Sequence, residues 1–331
     1  MLMIMQLAYD RYGRYVNHLR ISVTDRCNLK CIHCHREVTT SSFNAEKSEM
    51  TPDEIATIVE VAASFGVTAV KITGGEPLVR SDIVEIVEKI TDVREIKDVS
   101  MVTNGILLEK YASQLKKAGL NRVNVSLHAI TPSVFKYITG TTVFSSENVK
   151  RGIIQALKVG LKPVKINYVL FKKINYNELT KIIDFAKEYN LILQVIELVN
   201  LNLPPKFYKE NHMNLQPLED ELKSNADWYE ERSMQKRVRI GIGKLVVEFV
   251  RPVHNTQFCA NCHKLRVTSN GFLKPCLMRN DNLVDILTAI RSKKSFEELQ
   301  KIYLKAISLR EPFFRDKHTL PRTIKPTVVV I

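Results

Sequence analysis

Short apolar runs recur along the first two hundred residues, each followed by a stretch whose apolar positions fall three and four apart. The runs at 18–24, 67–73, 96–102, 123–127, 164–170 and 192–198 predict six strands. Between them, helical periodicity covers 81–90, 107–117, 148–159 and 178–188. The first helix announces its own start. Thr51 is placed to cap, Pro52 fits the first turn, Glu54 completes a capping box, and Ile55, Ile58, Val59 and Ala62 supply the buried face. Strands alternating with helices at this spacing predict parallel βα units, an α/β chain with a partial (β/α)6 TIM-type barrel. A doubly wound open sheet is the rival arrangement, and polar residues spread over several strand ends favour the barrel.

The pattern changes near residue 200. From 200 to 225 the chain turns polar around Pro204-Pro205 and Pro217, then alternates over 237–250 as a hairpin near Gly241 and Gly243. This predicts a barrel over 1–225 and a C-terminal region over 226–331, with Trp228 expected to dock the two. Residues 6–17 read as an irregular arm, and 39–49 as a mobile connection.

A chain of 331 residues with 45% hydrophobic and 25% charged residues is that of a globular protein with a sizeable core. No apolar run reaches membrane-spanning length, so a cytoplasmic protein without membrane association is expected. The net charge of +14 favours an anionic ligand. Nucleic acid is not expected, because no basic stripe is interleaved with aromatic residues.

All six cysteines fall into two groups of three, which is metal-ligand arithmetic rather than a disulfide framework. Cys27, Cys31 and Cys34 follow the first strand directly, where a barrel places its catalytic rim. Three thiolates are one short of a closed tetrahedral site. The fourth position is open to His33, His35, water or an exogenous chelator. Cys259 and Cys262 are rejoined by Cys276 after thirteen residues, across a turn at Ser269-Asn270-Gly271. His263 or His254 would complete a zinc site there, whereas two incomplete thiolate sites in one chain point to two clusters.

Other strand ends carry polar groups. Thr73-Gly74-Gly75-Glu76-Pro77 ends the second strand, with glycines that permit close approach and a carboxylate suited to an ammonium. Thr103, Ser126 and His128 follow the third and fourth strands, His128 expected to support its loop. Arg20 alternates with Leu19 and Ile21, and Lys71 and Lys165 interrupt apolar strands. An inward lysine needs an anion or water beside it.

Cys27-x3-Cys31-x2-Cys34 followed by Gly-Gly-Glu-Pro resembles the radical S-adenosylmethionine superfamily. Both cysteine triads, Leu19 to Asn28, Asn124 to Leu127 and Phe258 to Gly271 together resemble the GTP 3',8-cyclase family of molybdenum-cofactor biosynthesis over nearly the whole chain. That resemblance implies two [4Fe–4S] clusters, S-adenosyl-L-methionine as cosubstrate and GTP as substrate. It implies a 5'-deoxyadenosyl radical that removes the ribose 3' hydrogen, after which the carbon radical attacks guanine C8. Cys27, Cys31 and Cys34 would hold the first cluster, and Cys259, Cys262 and Cys276 the second, which binds the base. His33, Gly74, Gly75, Glu76, Thr103 and Ser126 would contact S-adenosylmethionine; Arg20, Lys71, Lys165, Lys264 and Arg266 would line the triphosphate path. A low-potential donor such as a ferredoxin, the cyclic pyranopterin monophosphate synthase acting next, and a homodimer are the partners implied. Two readings from other classes stand beside this one: a peptide-modifying maturase with an auxiliary cluster, and a noncatalytic metal protein that binds nucleic acid.

Four positions depart from the family pattern. His33 stands where an aromatic residue is usual, His263 where asparagine is common, and Lys264 where arginine is usual. The chain ends Thr327-Val-Val-Val-Ile331 instead of Gly-Gly.

Overall fold

The structure, a computed structural model, describes residues 6–34, 49–314 and 327–330. His35, most of the connection expected at 39–49, and Ile331 lie outside the described residues. The strands are β1 (Gln6–Tyr9), β2 (His18–Ser22), β3 (Ala69–Thr73), β4 (Asp98–Thr103), β5 (Arg122–Ser126), β6 (Lys165–Leu170) and β7 (Ile192–Glu197). They continue as β8 (Trp228–Glu231), β9 (Val238–Ile242), β10 (Leu245–Val250), β11 (Lys264–Val267), β12 (Phe272–Lys274), β13 (Val284–Asp285) and β14 (Thr327–Val330). The helices are α1 (Pro52–Ala63), α2 (Ile83–Thr91), α3 (Leu108–Lys117), α4 (Pro132–Thr139), α5 (Ser146–Lys158) and α6 (Leu179–Glu188). Then come α7 (Pro205–Asn211), α8 (Gln216–Ser224), α9 (Thr256–Ala260), α10 (Leu287–Arg291) and α11 (Phe296–Ser308).

Strands β2 to β7 pair in parallel and in chain order. A doubly wound sheet would reverse its order at a switch point. No reversal occurs, so successive crossovers advance one strand at a time as in a barrel wall. The capping box of α1 forms as its sequence predicts, with the Glu54 N–H donating to Thr51 Oγ1 at 3.2 Å and the Thr51 N–H to Glu54 Oε2 at 2.8 Å. Leu19, Ile21, Val70, Ile72, Val123 and Val125 are buried in one core with Ile58, Ile86 and Leu115 of the helices. The alternate positions, among them Arg20, Lys71 and Asn124, therefore face the barrel interior.

The C-terminal residues extend this sheet at both edges. β10 joins β7 in parallel and leads into the antiparallel β9 and β8; β11 joins β2 in parallel and leads into β12 and β13. The expected hairpin is the β9–β10 pair. The polar stretch after residue 200 holds helices α7 and α8. Two expectations are corrected. Trp228 lies on the edge strand β8, 45% exposed and against Gly241, so it docks nothing across the junction. The arm is irregular only after Tyr9, because β1 pairs antiparallel with β14. Among the described residues no helix is long and apolar enough to cross a membrane.

Candidate active site

The first cysteine loop is held on the barrel rim by backbone contacts with the Gly-Gly turn. The Gly75 N–H donates to Thr24 O at 2.6 Å and the Glu76 N–H to Arg26 O at 2.8 Å. A Cβ at Gly74 would lie 2.6 Å from Thr24 O, and one at Gly75 would lie 2.2 Å from Arg26 O. The glycines are thus required by the approach of the cysteine loop itself. Arg80 braces the same loop, donating through Nη1 to Val23 O at 2.7 Å and Met50 O at 2.9 Å. On the other side the Lys30 and Ile32 N–H groups donate to Thr139 O and Ile138 O at the end of α4.

Glu76 is buried within this rim. Its carboxylate accepts from Thr103 Oγ1 at 2.6 Å, the Asn104 N–H at 2.6 Å and the Leu78 N–H at 3.1 Å. Burial pushes its pKa up to about 7, against the pull of those three donors. Among the described residues no cation is paired with it. Asn104 also donates to Asn28 Oδ1 at 2.7 Å, which ties the third strand end to the cysteine loop. His33 meets the edge of His128 at 4.7 Å and Phe171 at 5.3 Å between ring centroids. His128 Nδ1 accepts the Val169 N–H at 3.1 Å, and burial holds its imidazole well below the usual range. It is a neutral loop support, as expected. Ser126 ends β5, half-buried and paired in register with Asn167.

The second triad sits at the other end of the sheet. Cys259 and Cys262 lie at the end of α9 just before β11, whose Lys264 pairs with His18 at the start of β2. Cys276 follows the antiparallel β12 and returns to the same end. The first triad follows the end of β2, so the sites are separated by that strand, five residues or roughly 16 Å at about 3.3 Å per residue. A buried brace holds the second site: Arg14 Nη1 donates to Cys259 O at 2.9 Å, Arg310 Nη2 to Cys262 O at 2.5 Å, and both arginines share Asp10.

Burial first, and then the neighbouring thiols, push Cys31 and Cys276 up, which places the thiols of each triad within one another's field. Among the described residues no three His, Cys, Asp or Glu side chains converge as a single metal ion requires. Zinc draws its ligands to one point, whereas a cluster takes thiolates at separate corners. His263 Nδ1 contacts Tyr15 O at 3.0 Å, and His254 packs its ring on Phe314. Three thiols gathered at one end of a strand are a donor set that fits an iron–sulfur cluster.

Between the triads the interior is basic. In-register neighbours share a face, and Lys274, Arg266, Arg20 and Lys71 align across β12, β11, β2 and β3. Lys264 Nζ donates to Gln235 Oε1 at 2.8 Å, linking β11 to the segment before β9. Burial drives Lys71 and Lys264 well below the usual lysine range, Lys71 further through Arg122 and Arg20, Lys264 through Arg237. Lys71 Nζ donates to Asn124 Oδ1 at 3.1 Å. Lys165 does face inward, and the anion it requires is Glu248, 2.7 Å away.

Comparison with known proteins gives this geometry a family. Residues 21–186 match the Radical SAM superfamily, and residues 191–315 match Molybdenum Cofactor Synthesis C. A probable GTP 3',8-cyclase of Methanococcus vannielii is 45% identical over 305 residues, covering 92% of this chain and 98% of the relative. The chain belongs to the GTP 3',8-cyclase family, within the radical SAM superfamily. Probable GTP 3',8-cyclases of Methanocaldococcus jannaschii and Thermococcus kodakarensis are also 45% identical, each covering 93% of this chain and 99% and 100% of the relative. In fold, the chain resembles Streptococcus suis SuiB bound to S-adenosylmethionine, with a TM-score of 0.65 and 18% identity, covering 92% of this chain and 68% of SuiB. It also resembles anSMEcpe with bound AdoMet, with a TM-score of 0.53 and 18% identity over 85% of this chain and 76% of that one.

Within this family fold the structure gathers Cys27, Cys31, Cys34, Gly74, Gly75, Glu76 and Thr103 on one rim. It places Arg20, Lys71, Lys264 and Arg266 along the interior and Cys259, Cys262 and Cys276 at the opposite end. Arg14, Arg310, Arg237 and Glu248 were not expected from the sequence, whereas Asn104 belongs to the polar turn Thr103-Asn104-Gly105 that ends the third strand. Glu248 carried a signal, being a lone charge in the apolar run Val246-Val-Glu-Phe-Val250.

Proposed function

We propose that the chain is a GTP 3',8-cyclase working with S-adenosylmethionine and two [4Fe–4S] clusters, one on each cysteine triad. The observation that carries this reading is the placing of two three-thiolate sites at opposite ends of one cationic barrel interior. Cys27, Cys31 and Cys34 would hold the cluster that supplies the electron for cleavage of S-adenosylmethionine into methionine and the 5'-deoxyadenosyl radical, which takes the ribose 3' hydrogen of GTP. Glu76 receives the methionyl ammonium, and Thr103 with the Asn104 N–H holds the carboxylate in place for it. Ser126 and His33 lie along the cosubstrate's path. Arg20, Arg266 and Lys264 hold the triphosphate; the guanidinium forks match phosphate oxygens, and Lys264 contributes a point charge. Lys71 and Lys165 add to the same field. Cys259, Cys262 and Cys276 would hold the cluster that receives guanine, so that base, ribose and phosphate would each be held by a different part of the interior.

The proposed division of the chain follows this labour, with 1–225 making the radical and 226–331 holding the base. A ferredoxin-type donor supplies electrons of low potential, and the pyranopterin-forming synthase takes the product. The test is anaerobic incubation of reconstituted protein with GTP, S-adenosylmethionine and a strong reductant. The expected result is 5'-deoxyadenosine together with 3',8-cyclised nucleotide from protein carrying about eight irons. Deoxyadenosine without any cyclised nucleotide, from protein bearing both clusters, would overturn the substrate assignment.

A further inference from the structure

Glu248 is fully buried on β10, in register with Gln194 of β7 and Arg239 of β9. Four cations surround this one carboxylate: Arg237 at 2.6 Å, Lys165 at 2.7 Å, and Arg232 and Arg239 at 3.4 Å. Gln194 Nε2 donates to it at 2.8 Å. Arg239 has a second partner in Glu230 at 2.9 Å, but Glu248 is the carboxylate shared by the rest. Burial opposes its charge; Arg237 and then Lys165 outweigh this and hold the carboxyl far below its usual range. Two carboxylates, buried Glu248 and the more exposed Glu230, against four cations leave the cluster short of anion. Its donors show the same shortage, since Arg237 Nε and Arg239 Nε are buried with no acceptor among the described residues.

The cluster opens onto the interior described above. Lys71 donates to Asn124, Asn124 Nδ2 to Gln194 Oε1 at 3.3 Å, and Gln194 to Glu248, an unbroken chain from the Arg20 side to the β10 side. Arg237 is also the foremost charge acting on Lys264, across the gap between the two sheet edges. A polyphosphate lying along Arg20, Lys264 and Arg266 therefore comes within the field of Arg237.

We propose that Arg237 is a further ligand for the substrate's polyphosphate, and that Glu248 is the positioning residue that holds Arg237 and Lys165 toward it while offsetting part of their charge. This rests on the reading that GTP occupies the interior. It gives the two residues opposite effects on anion binding, which a purely structural ion cluster does not. Removing Arg237 takes away a donor; removing the Glu248 charge frees cations that only an added anion can satisfy.

The experiment measures binding of inorganic triphosphate to cluster-reconstituted wild-type, R237Q and E248Q proteins, by calorimetry and by the thermal shift it produces, alongside cyclisation of GTP. R237Q should bind triphosphate about tenfold more weakly and raise KM for GTP, while E248Q should bind it about tenfold more tightly with a lower kcat. E248Q is prepared in phosphate buffer, so that an anion is present while it folds. A requirement for that anion agrees with the proposal, and failure to fold even then leaves R237Q and R237K to decide it. R237K should recover part of the triphosphate affinity. Triphosphate affinities equal to wild type in both variants, or in R237Q and R237K if E248Q does not fold, would overturn the inference. If wild type fails to cyclise GTP yet binds triphosphate with these opposed shifts, the substrate reading fails and the inference stands.

Discussion

The two cysteine sites have the same number of thiols and opposite surroundings. Cys27 and Cys34 are exposed on the rim, and the charged neighbour that acts on Cys27 is the Glu76 carboxyl. Burial and the two neighbouring thiols push Cys31 up to about 12. At the other end Arg310, Lys264 and Arg14 outweigh burial and pull the Cys262 thiol below its usual value. In the proposed reading the end with the Glu76 carboxyl takes the positive guest and the end with Arg14, Lys264 and Arg310 the negative one, while burial keeps Cys259 and Cys276 raised there. An ammonium-bearing cosubstrate and a polyphosphate substrate meet in the middle of such a field without competing for the same groups.

The strongest way to break this division is at the rim. C31A removes an anchor of the first site, and 5'-deoxyadenosine formation should fall to background under anaerobic assay while the second site keeps its iron and sulfide. Undiminished deoxyadenosine from protein lacking the first cluster would show that radical formation does not depend on this end.

Glu76 offers a sharper test, through pH. Burial raises its folded pKa to about 7 against an ordinary value of 4.5, so below that pH the free protein carries the acid mostly protonated. A protonated acid cannot receive an ammonium, and binding must expel the proton. Affinity for S-adenosylmethionine should rise about tenfold per pH unit up to about 7 and then level. The apo protein moves the other way: the group's contribution to stability is fully present below 4.5 and lost as the pH rises through about 7. E76Q should lose about 3 kcal/mol of cosubstrate binding at pH 8 and show no pH slope. A slope that survives in E76Q assigns the titration elsewhere.

The basic end is tested by smaller losses. R20A and R266A should each weaken GTP binding by about 2 kcal/mol in calorimetry and leave guanosine binding unchanged. Equal losses for both ligands would mean that these arginines support the fold.

Much of this arrangement was legible in the chain because it is local. Alternation in 18–24 was enough to turn Arg20 away from Leu19 and Ile21, and strand order followed from the repeated βα rhythm. The capping box at Thr51 is a contact between residues three apart. What escaped depends on distant pairings. Lys165 and Glu248 are each visible as a lone charge in an apolar strand, yet nothing local says that β10 joins β7 in parallel and brings them together. Arg14 and Arg310 lie far apart in the chain and meet on Asp10 only once the arm and the end of α11 are packed. The polar residues of 200–225 hid α7 and α8 because those helices bury little apolar surface. Trp228 misled for a related reason: a large apolar residue suggests a junction, but an edge strand leaves it open to solvent.

The central claim is that radical generation and substrate holding occupy different ends of the barrel, and one preparation tests it. In the C259A/C262A/C276A protein, iron, sulfide, 5'-deoxyadenosine and cyclised nucleotide are measured together under anaerobic conditions. The account predicts a folded protein with the first cluster, continued uncoupled formation of 5'-deoxyadenosine and almost no cyclised nucleotide, because small misplacement of the ribose is costly in rate. Wild-type cyclisation by that protein, folded and carrying only the first cluster, would contradict it.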